Sequence, residues 1–380
     1  MERKKPMFRS YWRLAALAVG VMLALVAFQP AVIHLHALAT LEVVAKGLVN
    51  PRGLNFGPEG ALYVAEAGNG GTGPCFVNSA KENVCYGPTG AVTRVTLGGV
   101  PTQERVVTGL PSLAPENGSE STGPHDVDFQ GRGNGFVTIG LGADPDRRQE
   151  LGTVGSLFGH LVRFQPNGGF ALQEDLSGFE ALANPDHEAV DSNPYGLLAL
   201  PGRAVYTDAG GNALNAVAAN GSISNLAVFP NRTVPHPFIP NATVPMQAVP
   251  TTVTLGPDGA LYVGQLSGFP FPPGGANVYR VPANGGAPQV FASGFTNIID
   301  IAFAPDGSLY VLQFDASSIL FGNADGSLIR VSPDGTKTTI VPAGAGLVAP
   351  GGIAIGPDGA IYVTNLSVSP GDGTVVKIVP

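Results

Sequence analysis

Residues Val249–Gln265, VPTTVTLGPDGALYVGQ, decide the fold: a short apolar strand, a Gly-Pro-Asp-Gly turn, and a second apolar strand that ends on a polar side chain. Variants of this unit recur as NPRGLNFGPEGALYVAE from Asn50, GPHDVDFQGRGNGFVTI from Gly123, NPYGLLALPGRAVYTD from Asn193, NIIDIAFAPDGSLYVLQ from Asn297 and APGGIAIGPDGAIYVTN from Ala349. Each unit is too small to bury its apolar faces alone, so the copies must pack on one another. Short strands and tight turns at this spacing predict the blades of a β-propeller. Six copies predict an all-β, six-bladed β-propeller.

Each copy continues beyond its hairpin. AVTRV (Ala91–Val95), HLVRF (His160–Phe164), NVYRV (Asn277–Val281), SLIRV (Ser327–Val331) and TVVKI (Thr374–Ile378) read as third strands, and QERVVTGL (Gln103–Leu110) and PQVFASGF (Pro288–Phe295) as fourth strands. After the third strand of the last copy the sequence reaches Pro380, whereas LEVVAKGL (Leu41–Leu48) matches the fourth-strand pattern. The N-terminal strand is therefore expected to complete the last blade, giving four antiparallel strands in each and no open edge. No helical periodicity is visible past residue 40, and residues 40–380 read as one domain. The basic residues Arg94, Arg163, Arg280, Arg330 and Lys377 recur at one third-strand position and read as a surface feature of the blades, their stems covering apolar neighbours.

Loop lengths separate two faces. The turns between first and second strands are tight, with Asp and Gly suited to turn dihedrals, while Ala67–Gly90, Gly140–Gly159, Pro111–Pro124, Leu182–Pro194 and Asn231–Pro250 are long connections. Antiparallel geometry puts the long ones on one face, where binding or catalysis is expected. Second strands end there on Glu66, Ile139, Asp208, Gln265, Gln313 and Asn365, and five of these six carry oxygen. Converging near the axis, they would suit a hard cation such as Ca²⁺, with Glu66 and Asp208 as its anionic ligands; a wet channel mouth accounts for them equally. First strands begin there with Arg52, His125, Tyr195, Thr251, Ile299 and Gly351, followed by Gly53, Asp126, Gly196, Thr252, Asp300 and Gly352. Arg52, His125, Asp126, Tyr195 and Asp300 are the channel-mouth candidates, sufficient for acid–base work or for gripping a polar or aromatic ligand. The histidines His125, His160, His187 and His236 all fall on this face, but two sit in solvated or proline-rich loops, which disfavours a shared zinc.

Arg3, Lys4, Lys5, Arg9 and Arg13 precede the apolar run Leu14–Phe28, and Ala37 and Ala39 follow it. That order reads as an export signal over residues 1–39; the alternative is an uncleaved membrane anchor over Leu14–Ile33. Either places the body outside the cytoplasm, periplasmic or secreted. Without residues 1–39 the chain has 15 Lys and Arg against 27 Asp and Glu, a net charge of −12. Such a surface repels phosphate backbones, which excludes nucleic acid as a partner. Cys75 and Cys85 are close in sequence and, in an exported chain, are expected to form a disulfide.

The ESTGPHDVDF run around His125, NPYG around Tyr195, LFGHLVRF ending at Phe164 and GGIAIGPDGAIYVTN ending at Asn365 resemble the ScyD/ScyE family across the whole domain. That family's founding members are encoded beside the genes for scytonemin, an extracellular cyanobacterial pigment made from indolic and phenolic precursors. More distantly the repeats are similar to NHL-repeat and TolB-like propellers. The resemblance implies an exported propeller without an established reaction. Gluconolactonase-type lactonases and streptogramin-type lyases share the architecture, but neither an acidic metal set nor a lyase His/Glu pair is matched in this sequence. Two functions remain open: binding of a small aromatic molecule, a glycan or a protein partner on the loop-rich face, or metal-assisted hydrolysis or elimination at the channel mouth.

Overall fold

The computed structural model describes residues 39–379 except 132, 167 and 168. The export signal and its anchor alternative lie outside these. Among the described residues no helix is long and apolar enough to cross a membrane.

Six antiparallel sheets, each built on four strands, follow one another along the chain. The first strands of the blades are Pro51–Phe56, Pro124–Gln130, Pro194–Leu200, Pro250–Leu255, Ile298–Phe303 and Gly352–Ile355. The second strands are Leu62–Glu66, Asn134–Ile139, Arg203–Asp208, Leu261–Gln265, Leu309–Gln313 and Ile361–Asn365. The last sheet takes its outer strand from the other end of the chain: Thr40–Val49 pairs with Pro370–Val379, Leu41 opposite Ile378 and Val43 opposite Val376. A two-stranded hairpin, Arg232–Pro235 with Thr243–Met246, lies between the third and fourth blades in sequence.

The core is distributed around the ring. Each of six hydrophobic clusters joins side chains of two adjacent blades: Val92 with Val127 between blades 1 and 2, Leu197 with Leu161 between 2 and 3, Val205 with Val263 between 3 and 4, Phe295 with Ile301 between 4 and 5, Leu312 with Val363 between 5 and 6, and Val375 with Val64 between 6 and 1. The second strands are apolar on both faces because each is covered on both sides. At the rim of the opposite face, the recurring third-strand bases pair with the turn acids, Arg280 with Asp258 at 2.7 Å, Arg330 with Asp306 at 2.7 Å and Lys377 with Asp358 at 3.7 Å. These pairs are half-exposed and contribute little each.

Polar links join first strands of neighbouring blades. Asp128 accepts from Asn55 Nδ2 (2.7 Å) and Ala199 N (2.6 Å), and Asp126 from Leu197 N (2.8 Å). Asp300 accepts from Thr252 Oγ1 and from Ile353 N (2.8 Å), and the Thr251 hydroxyl donates to Ile298 O (2.9 Å). Across the closure, Thr364 donates to Arg52 O (2.7 Å). Between blades 3 and 4 the polar link lies further out, from Arg203 to Ala283 O (2.8 Å).

Several connections expected to be loops hold regular structure: besides the hairpin within Asn231–Pro250, a 3-10 helix, Pro145–Leu157, lies within Gly140–Gly159. In blade 1 the third strand extends back to Asn83 and pairs with Thr102–Ala114, while Cys75–Val77 adds a short strand beside it. The disulfide joins Cys75 to Cys85 across that pairing, as an oxidising compartment permits. After blade 2 an α-helix, Leu176–Ala183, replaces coil; eight residues are too few to show periodicity, and it is defined by its caps, Asp175 accepting from Gly178 N (2.8 Å) and Asn184 left-handed at its end.

Deleting residues 40–49 exposes the edge of Pro370–Val379 and opens the cluster around Leu48 and Val375. The truncated protein is expected to aggregate or to melt about 10 °C or more lower. An unchanged melting temperature would rule out closure by this strand.

Candidate functional site

On the loop-rich face the chain turns sharply into several first strands through left-handed residues, Asn50 (φ 47°), Val249 (φ 51°), Asn297 (φ 45°) and Ala349 (φ 40°). The Asn50 side chain secures its turn by donating to Gly68 O (2.7 Å) and Gly118 O (2.8 Å). The strand entries that follow line the mouth of the channel. Arg52, His125 and Tyr195, together with Thr251 and Ile299, form the floor of a cavity of about 490 Å³. Its walls include Leu266, Phe271, Phe314, Ile319 and Val368, and its rim is polar, with Asn78, Glu82, Glu120 and Gln247.

The three polar floor residues form one unit. His125 and Tyr195 stack with ring centroids 4.4 Å apart and planes 30° from parallel. Nδ1 of His125 lies 3.0 Å from Pro194 O, so it carries the proton, and Nε2 is left as the acceptor. Burial, reinforced by the Arg52 charge, depresses the imidazole to about 3, so it is neutral at physiological pH. Gly140 makes room for this ring, since a Cβ there would stand 2.2 Å from His125 Cε1. Arg52, 8% exposed, donates to Ser121 O (2.8 Å). Its Nε has no hydrogen-bond partner among the described residues. Tyr195 is raised above its ordinary range by burial, against the opposing pull of Arg52.

Asp126 and Asp300 lie one residue further along their strands and line a second cavity, of about 190 Å³, in the channel itself, with Asp128. Both side chains are partly exposed to this cavity and otherwise enclosed by protein. Asp126 is pushed well above the ordinary carboxylate range, first by burial and then by the charge of Asp300. Burial pushes Asp300 up to about 6, against the donors Thr252, Ile353 and Ile301. The pair therefore retains a proton over a range where ordinary carboxylates have lost theirs.

The second-strand ends do not converge at the mouth. None of Glu66, Asp208, Gln265, Gln313 and Asn365 lines the mouth cavity. Each instead clamps the chain entering its own blade. Glu66 accepts from Val49 N (2.7 Å), Asp208 from Asn193 N (2.7 Å), Gln313 from Thr296 N (2.6 Å) and Asn365 from Val348 N (2.7 Å), while Gln265 donates to Ala248 O (3.3 Å). Glu66 is further held by both Nε and a terminal nitrogen of Arg105, at 2.9 and 2.8 Å, and Asp208 by Ser192 Oγ (2.7 Å). The oxygens expected to face a cation thus serve the chain's own donors. Among the described residues no three His, Cys, Asp or Glu side chains are grouped to hold a metal. Ser121, Phe271, Phe314, Ile319 and Val368 were not anticipated. Phe314 and the wall residue Leu266, each apolar and one position past a second-strand end, carried a readable signal.

No family model and no curated protein matches this sequence. Solved structures do. A Bacteroides thetaiotaomicron structural-genomics protein of unknown function is 9% identical, with a TM-score of 0.53 over 90% of this chain and 72% of that one. A glucose dehydrogenase is 14% identical, with a TM-score of 0.51 over 90% of this chain and 99% of that one. Virginiamycin B lyase from Staphylococcus aureus is 15% identical, with a TM-score of 0.48 over 90% of this chain and 99% of that one. At such identities the likeness shows the fold alone, a six-bladed propeller.

The channel acids generate a pH prediction. Asp300 keeps its proton in the folded state to about 6, against an ordinary value of 3.8, so its contribution to stability falls as pH rises through that window. Asp300→Asn should remove this slope relative to the parent while costing about 1–3 kcal/mol at pH 4, because the amide leaves one N–H of Ile301 or Ile353 without an acceptor. Urea unfolding at pH 4, 5, 6 and 7 measures both; parallel profiles for the two proteins would contradict it.

Proposed function

We propose that this is an exported propeller that binds a small aromatic molecule bearing an anionic or acceptor group in its mouth cavity. The observation that carries the reading is the floor: one buried guanidinium with an unpartnered Nε, beside a stacked His–Tyr pair, beneath mostly apolar walls. A cavity of this size and composition suits a compact ligand whose rings meet the walls and whose polar end meets a few fixed groups. Its concavity favours a small molecule over a protein partner, and its apolar walls favour aromatic rings over a glycan. The resemblance to ScyD/ScyE proteins implies indolic and phenolic surroundings, in keeping with this chemistry. The N-terminal signal and the disulfide support an extracytoplasmic location. Against a reaction at the mouth stands the neutral His125, too weak a base at pH 7 for efficient proton abstraction.

The test is calorimetric, with indole-3-carboxylate and 4-hydroxybenzoate as probes and cyclohexanecarboxylate as the non-aromatic control. Aromatic probes should bind more tightly than the control. Arg52→Met should weaken them roughly 10–100-fold, the loss of a charge-assisted contact, and Tyr195→Ala about tenfold. His125 stays neutral from pH 5 to 8 and so adds no pH dependence to the affinity there. Equal binding of the cyclic control, or full affinity in both variants, would refute the reading.

A further inference from the structure

The mouth cavity is charged unevenly from floor to rim. Among the described residues Arg52, at the floor, is the one Lys or Arg that lines it, whereas three acids, Glu82, Glu120 and Asp191, line it from the connections above the strand entries. Glu82 closes the turn between Cys75–Val77 and Asn83–Thr96, where Asn78 Nδ2 donates to it at 3.1 Å. Main-chain hydrogen bonds tie that turn to its neighbours. Ser79 N donates to Gly142 O (3.0 Å), Gly142 N to Ser192 O (2.9 Å) and Ser192 N to Ala143 O (3.1 Å), so the turn of blade 1, the loop of blade 2 and the Asp191 segment entering blade 3 form one continuous wall. Glu120 precedes Ser121, whose carbonyl holds the Arg52 guanidinium.

None of the three acids is paired with a base among the described residues. Lys81, next to Glu82 in the chain, is exposed and does not line the cavity. Two charged groups of the lining are also short of partners. Arg52 keeps Nε without an acceptor, and Asp191 keeps Oδ1, likewise buried, without a donor. Buried polar groups left unmatched are costly, and these two carry opposite charges on one cavity. An aromatic anion would serve Arg52 and leave Asp191 unmatched. It would also enter past three carboxylates of its own sign.

We propose that the mouth cavity selects an aromatic zwitterion, with its carboxylate toward Arg52 and an ammonium group toward Asp191, the field of Glu82 and Glu120 favouring that orientation. The inference rests on the aromatic-ligand reading given above and adds the second charge. Such a ligand is neutral overall, so the acidic rim does not repel it, and its dipole lies along the field between rim and floor. The two charges must sit at opposite ends of a rigid ring, because the groups that meet them lie on a first strand and on the wall above it.

The experiment is calorimetry at pH 7 on the full-length protein with three rings of matched shape: 4-(aminomethyl)benzoate, which carries both charges, 4-ethylbenzoate, which carries only the anion, and 4-isopropylbenzylamine, which carries only the cation. The zwitterion should bind about tenfold or more tighter than either, the effect of one added charge-assisted contact. Asp191→Asn keeps the side-chain shape and should shrink the preference for the zwitterion over 4-ethylbenzoate to about twofold or less. Should that variant not fold, the double change Glu82→Gln and Glu120→Gln should lower the same preference roughly threefold through the rim field alone. A zwitterion that binds no better than 4-ethylbenzoate overturns the inference and leaves the aromatic-anion reading standing, as does a preference unchanged in the foldable variants. Tightest binding by the amine overturns it too, because Arg52 would then have no part in recognition. If indole-3-carboxylate and all three rings fail to bind, the underlying reading has failed and this inference falls with it.

Discussion

Everything in this ring depends on how six first strands crowd around one axis without hydrogen-bonding to each other as a sheet. The position that faces the channel reads Gly53, Asp126, Gly196, Thr252, Asp300 and Gly352 around the blades. The three glycines are required by space: a Cβ on Gly53 would stand 2.0 Å from an Asp126 oxygen, one on Gly196 would stand 2.6 Å from Thr252 Cα, and one on Gly352 would stand 2.8 Å from Gly53 Cα. The other three side chains occupy the space so released. Asp126 reaches the main chain of the next blade, and Asp300 reaches across both of its junctions. Burying carboxylates is unfavourable unless donors surround them, and here the donors are backbone N–H groups that the narrow axis brings within reach.

That arrangement settles what the mouth can be. Arg52, His125 and Tyr195 floor the mouth cavity, while Asp126 and Asp300, one residue further along their strands, line the channel cavity beneath it. Burial first, and then the charge of Arg52, keeps His125 neutral. The floor groups sit on first strands locked on both sides, so they are preorganised, whereas the walls come from loops and differ from blade to blade.

The repeat also shows how one position is reused. The residue that ends each second strand clamps the incoming chain in five blades, by Glu, Asp, Asn or Gln according to the reach required. In blade 3 the connection beyond Asp208 is short, and the space a long loop would fill is taken by the helix from blade 2, whose Glu180 packs on Gly211.

The sequence by itself determined the six blades, their hairpins, the closure by the N-terminal strand and the disulfide, because those follow from local strand periodicity, turn residues and chain order. It also determined which residues begin each first strand, and hence the trio Arg52, His125 and Tyr195. Tertiary structure alone decided which way each strand-end side chain faces. Glu66 and Asn365 read as channel oxygens in alignment, but packing between blades turns them toward the entering chain, whose N–H groups have no other acceptor. Most of the cavity wall and the helix Leu176–Ala183 were equally hidden, since Phe271, Ile319 and Val368 come from unrelated loops, and an eight-residue helix defined by its caps leaves no periodic trace. Local pattern fixes the strands; the narrow axis and the contact of non-repeating loops fix the site.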